Sequence, residues 1–153
     1  MRRKEREITD QALMESILTR AQICRLGLCQ DNTPYVVPVS FGRKGNRLYV
    51  HSSLHGKKVD MIKANNNVCF ELEVDVEVAR AETACDWSMK FYSVIGFGKA
   101  FFVQDPEEKI EGLNAIMEHY TGAPRHEYSE RALEKVGIIR IDIESMTGKK
   151  AGY

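Results

Sequence analysis

Residues Arg47 to Glu71 read RLYVHSSLHGKKVDMIKANNNVCFE. Leu48 to His51 forms a short strand that ends in a His-Ser-Ser loop. Gly56, Lys57 and Lys58 then open a helix that runs to Ala64 with Val59 and Ile62 facing inward. A second strand follows, with Val68, Phe70, Leu72 and Val74 on one face and Cys69, Glu71 and Glu73 on the other. A helix start leaves backbone N–H groups without partners, and its dipole favours an anion there. Two lysines in that first turn oppose the dipole unless an anion arrives, so the stretch predicts a strand–loop–helix corner holding the phosphate of a cofactor.

Working toward the N-terminus, Thr9 or Asp10 is placed to cap a helix with Leu13, Met14, Ile17, Leu18 and Ala21 on one face. The run from Ile23 to Cys29, the turn residues Asp31-Asn32-Thr33-Pro34, and YVVPVSF with Tyr35, Val37, Val39 and Phe41 alternating predict two antiparallel strands. Lys44-Gly45-Asn46 is a second turn into the strand at Leu48, which completes a meander. Toward the C-terminus, Glu77 to Asp86 is poorly patterned. Phe91 to Val103 is the longest strand, with a bend or bulge expected at Gly96 and Gly98. Asp105-Pro106-Glu107-Glu108 starts a helix that carries Ile110, Leu113, Ile116, Met117 and Tyr120 along one side and stops at Gly122. A short helical piece at Glu130–Lys135 precedes a strand from Gly137 to Ile143. Six strands and about three helices, joined by turns instead of regular crossovers, indicate a mainly β, α+β fold: a small antiparallel barrel with peripheral helices.

With 153 residues, 43% of them hydrophobic, the chain suits one domain spanning residues 1–153. Its 22 basic and 22 acidic residues cancel, and Lys and Arg gather only in the first six residues and at Lys149 and Lys150, which disfavours a nucleic-acid partner. No secretory run opens the chain and no apolar stretch is long enough to span a bilayer, so a cytoplasmic location without membrane contact is expected. Cys24, Cys29, Cys69 and Cys85 form no C-x-x-C pair and are expected as free thiols.

The residues that could carry chemistry divide by context. His51 and His55 are four apart, but one ends a strand and the other precedes Gly56. The helical geometry of a metal pair is therefore missing, and no metal site is expected. His51 is left as either a structural histidine or a ligand-facing one. Gly96-Phe97-Gly98 lies within a strand and lacks a third glycine, so it is no dinucleotide fingerprint. Glu71 and Glu73 share a strand face and read as solvated carboxylates with nothing nearby to raise their pKa values. Trp87 and Phe91 could wall a ring system or pack in a core or interface. His119 and His126 have no recognisable partners. Val94, Phe97, Phe101 and Phe102 exceed what one small barrel interior needs, which argues for a dimer.

Taken together, PYVVPVSF (Pro34–Phe41), the stretch from Leu48 to Glu71, YSVIGFGKA (Tyr92–Ala100), DPEEKIEGLNAIMEHYTG (Asp105–Gly122) and IRIDIESMTGKKAG (Ile139–Gly152) resemble the FMN-binding split-barrel superfamily typified by pyridoxamine 5′-phosphate oxidase, in its nitroimidazole-resistance-like branch. The resemblance implies a six-stranded antiparallel Greek-key split β-barrel and a homodimer with FMN at the subunit interface. It places Val39, Ser40 and Phe41 beside the flavin, His51 and Ser52 at the ring or ribityl chain, Lys57 and Lys58 on the phosphate, and Tyr92 and Ser93 at a later-strand contact. His51 matches a histidine implicated in nitro-group reduction in that branch, acting by positioning or by proton donation. The closing Arg-rich substrate segment of the oxidase is absent from TGKKAGY, which argues against vitamin B6 oxidation. The expected activity is an FMN-dependent oxidoreductase passing electrons from a small-molecule donor to a small acceptor, a class that includes nitroaromatics. The alternatives are a non-catalytic flavin-storage or redox-sensing module, and a haem- or deazaflavin-binding member of the same fold.

Overall fold

The structure, a computed structural model, describes residues 3–153. Met1 and Arg2, where the basic N-terminal run begins, lie outside the described residues. A 3₁₀ turn at Lys4–Arg6 leads to a two-residue strand, β1 (Glu7–Ile8), and then to α1 (Gln11–Arg20). The Asp10 carboxylate accepts from the amides of Ala12 and Leu13, satisfying helix donors that would otherwise lack partners. Met14, Ile17 and Leu18 are the buried residues of α1, at the spacing the sequence predicts.

Next come β2 (Cys24–Gln30) and β3 (Thr33–Val39), joined by a tight turn in which Asp31 and Asn32 take φ of 49° and 59°. Asp and Asn are the non-glycine residues that tolerate this left-handed region best. The chain continues through β4 (Phe41–Lys44), β5 (Arg47–Ser52), α2 (Lys57–Ala64), β6 (Asn67–Ala79) and β7 (Ser88–Phe102). It closes with α3 (Pro106–Thr121), α4 (Glu130–Lys135) and β8 (Gly137–Ala151). Asp105 caps α3 through the Glu108 amide, Pro106 occupies the first turn and Gly122 ends the helix in the left-handed conformation.

All strand pairs are antiparallel, in the order β3-β2-β6-β7-β8-β5-β4 with β1 alongside β8. The outermost strands, β3 and β4, are separated in sequence by Ser40 alone, so the sheet must curl until its two edges meet at that residue. Its concave side holds one apolar core with contributions from every strand, including Leu26, Phe41, Leu48, Phe70, Val94 and Ile141. Each such side chain contributes roughly 1.5–3 kcal/mol on burial. Tyr49, Val103, Ala115, Ile116 and Ile138 form a second cluster beneath α3. Consecutive buried residues in β5 (Leu48, Tyr49, Val50) and β8 (Ile138, Ile139) follow from this, because both strands are covered on two faces there.

Three sequence expectations are corrected. The sheet has eight strands, not six. β1 is too short to leave a pattern, and YVVPVSF is broken at Ser40, where the chain steps from one edge of the sheet to the other. The stretch from Glu77 is not irregular throughout: β6 continues to Ala79 and pairs with β7 as a two-stranded ribbon, Val78 opposite Met89. Val76, Val78, Trp87 and Met89 of this ribbon are exposed, although Val74, Val76 and Val78 carry the strand alternation into it. β8 extends past Ile143 to Ala151 through polar residues that pair with β7. The irregularity expected at the glycines of β7 is found, as a register shift against β8 between Phe97 and Gly98.

Candidate functional site

The start of α2 is an open, cationic corner. Gly56 stands at the N-cap with φ 121° and ψ 171°, a conformation costly for any residue with a Cβ. No side chain caps the helix, so its first amides are left to water or a ligand. The Lys57 ammonium lies 4.6 Å from the centre of the Tyr35 ring of β3. Lys58 is partly buried, and burial alone pushes its pKa below the ordinary lysine value, with no carboxylate compensating. An ammonium so placed is stabilised by an arriving anion. Glycine, free amides and two cations make a donor set that fits a phosphate monoester.

His51 sits near the end of β5, paired in register with Ile138. Part of its surface is open to solvent, yet burial, and secondarily the charge of Lys58, lower its pKa below 6.5. The imidazole is therefore mainly neutral at pH 7. Ser52 follows at the strand end, opposite Gly137.

On the other side of His51 opens a cleft of about 540 Å³. Val39 and Ser40 form one wall where the sheet edges meet, and Leu113, Ile116 and Met117 of α3 form the other. The helix is held down by a close backbone approach: a Cβ at Gly42 of β4 would lie 2.2 Å from the Ala115 carbonyl carbon. Hydrogen bonds fix the C-terminal end of α3. Tyr120 Oη donates to Gln22 O at 2.8 Å and accepts the Phe41 N–H at 3.2 Å, and the His119 ring contacts Ala21 O through Nε2 at 2.7 Å. Tyr128 Oη donates to Asn114 Oδ1 at 3.1 Å.

Val39, Ser40 and His51 are thus brought together at the cleft, with Ser52, Lys57 and Lys58 following His51 through the loop and first turn beside it. Phe41 is fully buried in the core, leaving only its backbone near the cleft. Tyr92 and Ser93 lie about ten residues, roughly 30 Å of strand, from the end of β7 that meets Ile138 beside His51. Ser93 is buried, and Tyr92 stacks on Tyr153 with ring centres 4.7 Å apart. Trp87 belongs to the exposed ribbon, its Nε1 donating to Ala81 O. Three minor expectations fail: His119 has partners in Ala21 and Phe41, His126 has partners in Asn114 and Ala123, and the Glu71 pKa is raised, by burial first and then by Glu73. Arg25 pairs with both carboxylates. Sequence reasoning missed the cleft itself. Its signal was the wide apolar side of α3, of which only Gly112, Ala115 and Ile116 are buried.

Among the described residues, no helix is long and apolar enough to cross a membrane. The four cysteines are free, and burial pushes the Cys24 thiol up to about 12.

The sequence matches the pyridoxamine 5′-phosphate oxidase family model over residues 10–150. A solved structure of a candidate 5-nitroimidazole antibiotic resistance protein from Bacteroides thetaiotaomicron superposes with a TM-score of 0.83 at 36% identity, covering 94% of this chain and 86% of that one. The flavocytochrome Anf3 from Azotobacter vinelandii has a TM-score of 0.84 at 21% identity, over 100% of this chain and 72% of its own, a likeness of fold. An uncharacterized protein of Rhizobium meliloti is 33% identical over 58 residues; the match spans 38% of each chain.

Proposed function

The chain belongs to the pyridoxamine 5′-phosphate oxidase family, and from that premise we propose that it binds FMN and acts as an oxidoreductase between a reduced small-molecule donor and a small acceptor. The observation that carries the reading is the uncapped start of α2, where Gly56, Lys57 and Lys58 present free amides and two cations next to His51 and the cleft. Lys57 and Lys58 would hold the phosphate, and Ser52 and His51 the ribityl chain or ring edge. Val39 and Ser40 would lie beside the ring. When bound, the flavin supplies the two-electron chemistry. His51 orients the bound molecule through a ring N–H or lone pair. Its lowered pKa favours that role over proton donation at neutral pH. An anion on Lys58 offsets the smaller, charge-borne part of that lowering, while the larger part, from burial, remains.

The functional unit in this reading is a homodimer. Tyr92 and Ser93 are too far along β7 to meet a ligand at the same protomer's α2 corner, so their contact requires a second copy. Phe91, Ile95, Phe97 and Phe101 stand at alternate positions on the outward face of β7, and the last three are exposed, a surface suited to that copy. Light scattering at micromolar concentration is expected to give twice the 17.4 kDa chain mass, and Phe97→Asp to give the single mass.

An absorption spectrum of the purified protein, followed by mass identification of what heat releases, tests the cofactor. Flavin bands bleached by a reductant and restored by a nitroaromatic acceptor are expected. A haem Soret band or a deazaflavin mass would replace the cofactor assignment. Tight FMN with no turnover of any acceptor would reduce the protein to a flavin-storing or redox-sensing module.

A further inference from the structure

The outward side of α3 divides into two unlike halves. Glu108 and Glu111 are engaged by Arg140 and Lys44, and the depression over that half is lined by charges of both signs. Leu113 and Met117, by contrast, face the cleft. They are only partly buried, and the residues that seat the helix on the sheet are Gly112, Ala115 and Ile116. Leu113 packs at the edge of the cluster beneath α3, and together with Met117 it also presents an apolar side to a cavity of about 540 Å³, within the range of small-molecule sites.

The polar inventory of this cavity is short. Among the described residues, no Lys, Arg, Asp or Glu lines it. The hydroxyl of Tyr120 is committed to Gln22 O and the Phe41 amide, and that of Tyr128 to Asn114. The uncommitted groups are the Ser40 hydroxyl and the His51 ring, where β3 and β5 end, and the exposed, neutral side-chain amide of Gln22. A charged ligand seated against α3 would be desolvated without a countercharge, which is costly, whereas a neutral ring meets a thioether, aliphatic carbons and phenol faces.

We propose that the α3 cleft is the seat of the electron acceptor, that it selects neutral aromatic molecules over anionic ones, and that Leu113 and Met117 set this selectivity. The designation of the molecule as an acceptor rests on the function proposed above; the preference for neutral rings rests on the lining alone. Chemically, the α2 corner takes the anionic end of a cofactor whose ring lies at the Val39–Ser40 wall, and the opposite wall of the cleft, on α3, takes an uncharged partner, with His51 between them.

Two dyes that differ by a sulfonate test this on the protein as purified: neutral N-phenyl-1-naphthylamine and its anionic relative 8-anilino-1-naphthalenesulfonate, each followed by fluorescence titration. The neutral dye is expected to bind at least about tenfold more tightly. Leu113→Lys and Met117→Lys are each expected to weaken the neutral dye by about tenfold or more and to strengthen the sulfonate, with FMN content unchanged. If the lysine variants do not fold, Met117→Gln, of similar shape, is expected to weaken the neutral dye about fivefold. Equal or tighter binding of the sulfonate to the unmodified protein overturns the proposal, as does a neutral-dye affinity indifferent to these substitutions. Loss of FMN together with the neutral dye in folded variants also overturns it, by making the α3 wall part of the flavin's own ring seat, while the proposal that the unmodified protein binds flavin still stands. A flavin-free protein that still prefers the neutral dye removes the proposed function and keeps the selectivity of the cleft.

Discussion

At the start of α2 the proposed ligand-binding groups are three consecutive residues, Gly56, Lys57 and Lys58, set by one backbone conformation and one helix end. The cleft beneath α3 is instead assembled from β3, β5, α3 and the segment at Tyr128, and exists only because α3 is pressed onto β4 at Gly42. The first region is charged and local; the second is apolar and depends on tertiary packing. Each should therefore fail for its own reason, and a substitution that damages one should spare the other.

The largest effect is expected at Gly42. A Cβ there meets the backbone of Ala115 and Ile116, which cannot swing aside as a flexible side chain does, so α3 must lift. Gly42→Ala is expected to cost about 3 kcal/mol of stability by chemical denaturation. It should also abolish neutral-dye binding in the cleft while phosphate binding at α2 persists. Unchanged stability would mean that the helix is not seated as described. Gly56→Ala is the mirror experiment. Nothing lies within 4 Å of a Cβ at that position, so the cost is purely conformational, about 1–3 kcal/mol for a side chain at φ 121°. The expected readout is FMN affinity about tenfold weaker, with the cleft unaffected.

A pH titration separates the regions next. The Lys58 pKa lies below 10.5 in the folded, ligand-free protein. FMN affinity should fall as pH rises through that lowered value, by up to about tenfold per pH unit. Lys58→Arg, charged throughout the range, should flatten the fall. Stability without ligand changes in the opposite sense: the unfolded chain holds more protons in that window, so stability rises with pH there. Neutral-dye affinity should not respond to this titration. His51 gives the acid-side counterpart, since its pKa lies below 6.5 when folded. The ligand-free protein loses stability as pH falls from 6.5 through the lowered value. The smallest effect is expected at Trp87, whose exposed ring sits on the β6–β7 ribbon. Trp87→Ala should change stability by about 0.5 kcal/mol or less and leave both regions' affinities as they were.

The same contrast explains what could be read from the sequence. The α2 corner was legible because its parts are contiguous: a strand end, hydroxyls, a glycine and two lysines at a helix start. Strand positions were legible wherever one face is buried, as in Val68, Phe70, Leu72 and Val74. The break at Ser40 was not, because Val39 and Phe41 keep the alternation of a single strand while belonging to opposite edges of the sheet. The alternation of Val74, Val76 and Val78 did extend the strand past Glu77, but the pattern could not show that these valines stand exposed on a two-stranded ribbon. Leu113 and Met117 read only as one side of α3, because periodicity reports that a helix side is apolar and cannot report what that side meets. The separation of Tyr92 from His51 follows from the register of β7 and β8, which no local pattern encodes.

The central claim is that Lys57 and Lys58 grip a phosphate, and FMN and riboflavin, which differ by that phosphate alone, test it. Titrating both into apoprotein should show FMN about 100-fold tighter than riboflavin, as two charge-assisted contacts predict. In Lys57→Ala/Lys58→Ala the preference should collapse to near unity while riboflavin affinity is retained. A preference of equal size in the double variant, or none in the unmodified protein, would contradict the account.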